Sequence, residues 1–187
     1  MKKIMICVAF ALGLQLARGQ NKIPGLDRSP MDMSYYPPDY PILKIQDKAN
    51  EPLVARIIYG RPQRNDRTIF GDLVPYGSVW RLGANEATEI EFFKDVKIDG
   101  KKVPKGRYTM YAMPDSTKWT IIINKETNIW GAFKYDQKQD VIRTELSCEK
   151  RNDLVDIFTM LFEKNSSNSA NLLMTWENIL VRLPFSW

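Results

Sequence analysis

The chain has 187 residues, with 27 Lys or Arg against 22 Asp or Glu, a formal net charge of +5, and no histidine. Lacking an imidazole, it cannot form Ser-His-Asp triads, Cys-His dyads or the common zinc and copper centres. Oxygen-ligand metal binding and chemistry by carboxylate, Lys or Tyr side chains remain open. With no Walker A sequence, dinucleotide fingerprint or EF-hand loop present, neither a metal nor a cofactor is expected.

Met1-Lys2-Lys3, the apolar run Ile4 to Leu16 and then Ala17-Arg18-Gly19 form a positive, apolar and small-residue series. This is the pattern of a signal peptide over residues 1–19, cleaved after Gly19, and it predicts a periplasmic or secreted product. The run is shorter than the ~20 residues that span a bilayer, and no later stretch reads as a membrane helix. Loss of Lys2, Lys3 and Arg18 takes the 27 basic residues to 24 against 22 acids, a charge of +2. Without a basic stripe interleaved with aromatics, a nucleic-acid partner is not expected. Cys7 departs with the signal, which leaves Cys148 alone and unable to form an intramolecular disulfide.

Residues 20–41 read as an irregular arm. Ser34-Tyr35-Tyr36-Pro37-Pro38-Asp39-Tyr40-Pro41 is too rich in proline for a helix interior or a central strand. Such an aromatic-proline arm is expected to pack across the domain, or else to meet a partner.

From residue 42 to 187 the pattern is that of strands. Candidates are Ile42 to Gln46, Val54 to Tyr59, Thr88 to Lys94, Arg107 to Met113, Trp119 to Asn124, Val141 to Cys148, Asp156 to Glu163, Leu172 to Glu177 and Ile179 to Leu183. Thr88, Ile90 and Phe92 alternate with Glu89 and Glu91, as on a half-buried strand. Trp119 to Ile123 is apolar on both faces, which suits a central strand. Asp99-Gly100 between short apolar runs is a strong hairpin signal. A short helix is allowed between Asn50 and Arg56 or near Val141. The sum predicts a mostly-β single domain, an antiparallel β-sandwich of jelly-roll-like or Greek-key type with an extended N-terminal arm, a barrel being the alternative. Outward charges such as Arg143 and Glu145 argue against a membrane barrel.

The densest stretch runs from residue 59 to 88, a long connection between two strands. Long connections in compact domains often carry function. Here Arg61, Arg67, Arg81, Asn85 and Glu86 offer polar contacts, while Tyr76 and Trp80, with Trp130 further on, offer flat aromatic faces. Together they suit a noncatalytic ligand-binding module for a glycan or other small polar ligand. A carboxylate hydrolase such as a glycosidase would instead need two of Asp72, Glu86, Glu89 and Glu91 facing each other across a cleft. A third possibility is a surface-assembly subunit docking on a cell-surface protein through Tyr35 to Tyr40 and the aromatic C-terminus. A purely structural alternative pairs Arg67 or Arg81 with Glu86 or Asp72. Asn165-Ser166-Ser167 and Asp115-Ser116-Thr117 fit short glycosylation patterns at polar turns.

Several runs carry a family likeness: Arg61-Pro62, Ile69-Phe70-Gly71, Leu73-Val74-Pro75-Tyr76-Gly77, and Val79-Trp80-Arg81 with Gly83-Ala84-Asn85-Glu86-Ala87-Thr88. Val103 to Tyr108, Trp119 to Ile122, Asn128 to Ala132 and Leu26 to Asp32 add to it. The chain resembles a family of secreted proteins, the domain of unknown function 2911, found mainly in Bacteroidetes. Asn65-Asp66-Arg67 departs from it, since a Gly is expected before that Arg. The resemblance implies export and a β-rich fold, and it implies no activity, substrate or catalytic residue.

Overall fold

In the computed structural model, residues 23–187 are described, and the expected signal segment 1–19 lies outside them. Two antiparallel sheets face each other as a β-sandwich, neither closing into a barrel. Strands β1 (Met31–Tyr36), β2 (Ala55–Gly60), β3 (Glu89–Phe92), β6 (Gly106–Pro114), β7 (Lys118–Asn124) and β8 (Asp140–Ser147) form one sheet in the order β1-β2-β3-β6-β7-β8. The other is β5-β4-β10-β9, from β4 (Val96–Ile98), β5 (Lys101–Val103), β9 (Glu149–Lys164) and β10 (Ser169–Ser186). No helix among the described residues is long and apolar enough to cross a membrane.

The period of the apolar residues explains which side chains lie between the sheets. On β3, Ile90 and Phe92 are buried while Glu89 and Glu91 are not. On β10 the buried set changes parity, from Ala170, Leu172, Met174 and Trp176 to Ile179, Val181, Leu183 and Phe185. Pairing with β9 shifts register around Glu177, whose φ is +56°. Thr175 pairs with Thr159, Glu177 with Val155 and Ile179 with Lys150, so the ladder is irregular here, and the same face of the sheet stays buried on both sides of the irregularity. The sequence pattern suggested two strands here; β10 runs through the irregularity as one. Asp99 and Gly100 both have positive φ and join β4 to β5 as the hairpin expected of that dipeptide.

Two expectations need correction. Ile42 to Gln46 was expected as a strand, yet Tyr40–Ile45 forms a short helix, α1, with proline near its start and no buried residue. Proline is pre-set for the first helical turn, and so brief an apolar run has no period that distinguishes helix from strand. The arm is not irregular throughout, because Met31–Tyr36 pairs with β2 as the edge strand β1. An edge position tolerates the prolines that follow. Of the two places allowed a short helix, residues 50–56 form none, while a 3-10 turn at Gln137–Gln139 lies just before Val141 as the second allowed.

Aromatic rings join the sheets. Tyr36 meets Phe162, Phe185 and Trp187 at centroid distances of 6.2, 6.3 and 5.1 Å. Further along, Trp80 packs within 6.0 Å of Phe70, Trp119, Phe158 and Trp176. Such pairs contribute about 0.5–1.5 kcal/mol each beyond the area they bury.

Candidate functional site

The connection between β2 and β3, residues 61–88, is stitched to both sheets. Pro62 accepts from Phe158 N at 3.0 Å, and Arg64 N donates to the Asp156 carbonyl at 2.7 Å, both on β9. Trp80 exchanges two backbone hydrogen bonds with Ala112 on β6, at 2.7 and 3.0 Å. The Trp80 indole N–H donates to the Gly83 carbonyl, and the Thr88 hydroxyl to the Leu82 carbonyl. Leu82 and Asn85 adopt the left-handed conformation. The backbone of Ala84 comes so near β2 that a Cβ on Gly60 would lie 2.4 Å from the Ala84 oxygen. Gly60 is therefore required by close approach.

This folding leaves a cavity of about 340 Å³. Arg67, Arg81, Asn85, Ser29, Ser78, Gly83 and Ala84 line it, with Trp80 and Trp176 among its apolar lining. Its size falls within the small-molecule range. Arg81 is half-buried and forms no ion pair among the described residues. Its Nε is buried without a hydrogen-bond partner. Burial lowers its pKa, the cost of desolvating an uncompensated cation.

The eight candidate residues do not converge on one place. Four of them, Arg67, Trp80, Arg81 and Asn85, line the cavity. Arg61 instead ties β1 to β9: it pairs with Asp32 at 2.8 Å and donates to the Phe158 carbonyl and the Thr159 hydroxyl. Tyr76 is 46 % exposed and lies against Gly71. Glu86 bridges to Trp130, which is 61 % exposed; Glu86 borders a smaller depression with Glu89 and Asn128. Trp80 was expected to offer a flat stacking face, but it is only 8 % exposed and belongs to the core. The exposed aromatics thus sit apart from the cavity.

The expected Arg67 or Arg81 pairing with Glu86 or Asp72 does not form among the described residues. Arg67 donates to the Gln63 and Arg64 carbonyls and so braces its own turn. Glu89 and Glu91 are engaged with Arg107 and Arg56. None of the four candidate acids lines the cavity. Among the described residues, no group of three or more His, Cys, Asp or Glu side chains could hold a metal ion.

Sequence reasoning missed Ser29, Ser78 and Trp176. Ser78 lies in the stretch already singled out, but as a lone serine it gave no signal. Ser29 and Trp176 reach the cavity only because the arm and β10 fold over the loop, and no local spacing reports that.

A second polar cluster lies on the outer face of the larger sheet. The Tyr135 hydroxyl donates to Asp140 Oδ2 at 2.5 Å and accepts from Arg143, which also pairs with Asp140 at 3.0 Å. Burial, then the hydrogen bond to Asp140, raises the Tyr135 pKa. Burial also pushes the Cys148 thiol up to about 11, as suits a packing cysteine.

The family model described as "Protein of unknown function (DUF2911)" matches residues 43–185. The chain belongs to that family. No curated protein and no solved structure matches it.

Proposed function

We propose that this DUF2911 member is an exported, noncatalytic binding module whose ligand, a small polar molecule, sits in the cavity behind residues 61–88. The observation that carries the reading is Arg81, a half-buried guanidinium on the cavity wall with no acid in the lining and no ion pair among the described residues. A buried cation without a partner is costly, and ligand contacts would offset that cost. The loop is hydrogen-bonded to both sheets, so the wall is preorganised. A hydrolase would need a pair of carboxylates at the reacting bond, and none of the lining residues is acidic. Export rests on the three-part pattern of residues 1–19.

The test is a thermal-shift screen of residues 20–187 with neutral sugars, sugar acids, sugar phosphates and amino acids. A ligand at 100 times its Kd stabilises the fold by ~2.7 kcal/mol, a shift of several degrees for a domain of this size. The expected result is a hit that raises the Tm of the parent and not of a folded Arg81→Ala variant. Equal shifts in both proteins would remove the cavity from the account.

A docking role on a surface protein has its own support in Met31 and Met33, both about half exposed on edge strand β1. The other proposed docking elements are less available: Tyr36 is buried, and it packs on the C-terminal Trp187. Binding of the parent and of Met33→Glu to intact cells of the source checks that strand, and equal retention of the two would dismiss docking through it.

A further inference from the structure

The cavity has a charge character that narrows its ligand. Its lining carries two guanidiniums, from Arg67 and Arg81, and no carboxylate. The other polar side chains of the lining are Asn85, Ser29 and Ser78. The formal charge around the space is therefore positive.

Apolar surface adds to the effect. Trp176 is 1 % exposed and Trp80 8 %, and the two rings stack 6.0 Å apart at 17°. Buried rings beside a guanidinium lower the local dielectric and strengthen charge-assisted hydrogen bonds. They offer edges rather than an open platform, so a neutral sugar would find little stacking surface. The exposed aromatics that could stack one, Tyr76 and Trp130, are not in the lining.

We propose that the cavity selects a small molecule bearing a carboxylate or phosphate oxyanion, bound by Arg81, over its neutral analogue. This rests on the reading of the cavity as a binding site. The guanidinium fork matches two oxyanion oxygens, and the Asn85 amide with the Ser29 and Ser78 hydroxyls supplies neutral donors in the same lining. Arg81 forms no ion pair among the described residues, and its buried Nε has no hydrogen-bond partner there, so a ligand oxyanion would be its counter-charge. Arg67, exposed and braced on the Gln63 and Arg64 carbonyls, contributes longer-range attraction.

Isothermal titration of residues 20–187 with glucuronate, glucose, glucose 6-phosphate and inorganic phosphate, at one fixed ionic strength, tests the proposal. At least one of the two sugar anions is expected to bind tenfold or more tightly than glucose. Glucuronate and glucose 6-phosphate separate a carboxylate from a phosphate as the source of the oxyanion. Preference for inorganic phosphate over both sugars would point to the free ion. In a folded Arg81→Gln variant the preference for the anion should vanish, and Arg81→Lys should retain part of it. Should Arg81→Gln not fold, the salt dependence of the parent decides: sugar-anion affinity falls as NaCl rises, while glucose affinity does not. Glucose binding as tightly as both sugar anions would overturn the anion preference and leave the binding-site reading standing. Absence of binding by all four probes would overturn both.

Discussion

The Tyr59 hydroxyl accepts the Met160 N–H at 3.0 Å and donates to the Met160 carbonyl at 3.1 Å, with both residues buried. One phenol thus satisfies both backbone groups of a residue on the opposite sheet. It also anchors the end of β2, from which the cavity-forming loop departs.

Tyr59→Phe should therefore cost about 2 kcal/mol, since it leaves a buried donor and a buried acceptor unpaired. Tyr111 is the control, because its hydroxyl is buried on the outer face of the larger sheet without a partner. Tyr111→Phe should be neutral or stabilise by up to ~1 kcal/mol. Urea unfolding of the two variants checks the pair. Equal losses would mean that the hydrogen bonds of Tyr59 contribute nothing specific.

Stability should fall steeply in alkali. Burial pushes Tyr111 up to about 12, helped by the nearby charges of Glu126 and Asp140, and it raises Tyr135, Tyr59, Tyr36 and Tyr108 in the same direction. The folded state holds these protons more tightly than the unfolded chain. Their contribution is complete below the unfolded phenol value of 10 and is lost as pH rises from 10 through the raised folded values. Each phenol ionised only in the unfolded state steepens the fall by ~1.4 kcal/mol per pH unit. Cys148 acts likewise between 9 and 11. Denaturation melts from pH 8 to 12 should be flat at first and then drop, with the drop moved upward in Tyr111→Phe.

Gly60→Ala should destabilise by about 3 kcal/mol, because the new Cβ would overlap the Ala84 carbonyl. The loss should come with weaker ligand binding, since Ala84 lines the cavity. Thermal unfolding with and without ligand measures both effects.

Arg61 and Arg81 should separate stability from binding. Arg61→Ala removes an ion pair to Asp32 and hydrogen bonds to Phe158 and Thr159 on β9, and is expected to cost about 2 kcal/mol while leaving affinity unchanged. Arg81→Ala should do the reverse. Chemical denaturation paired with titration calorimetry distinguishes the two.

Much of the fold was legible because strands announce themselves by period and turns by residue type. Thr88 to Phe92 alternated as it should, and Asp99-Gly100 named its own hairpin. The helix at Tyr40–Ile45 was not legible, since none of its residues is buried and no apolar period distinguishes it from a strand. The irregularity at Glu177 could not be read as one either, although the parity switch from Trp176 to Ile179 records it. For the cavity, the sequence placed Arg67, Trp80, Arg81 and Asn85 in one dense run, and a loop folding on itself brings them together. Arg61 belonged to the same run but points to β9, because two residues of a loop sharing a composition need not share a side. Trp80 was misread as a ligand platform, since a tryptophan next to an arginine looks the same whether its ring faces the core or the solvent.

The most direct test is an amide and indole chemical-shift titration of the ¹⁵N-labelled protein with glucuronate and, separately, with glucose 6-phosphate. Saturable shifts centred on Trp80, Arg81, Gly83, Ala84 and Asn85, with the Arg61 and Trp130 signals still, are the predicted result. Shifts centred on Glu86 and Trp130, or none with either sugar anion, would contradict a ligand site at Arg81.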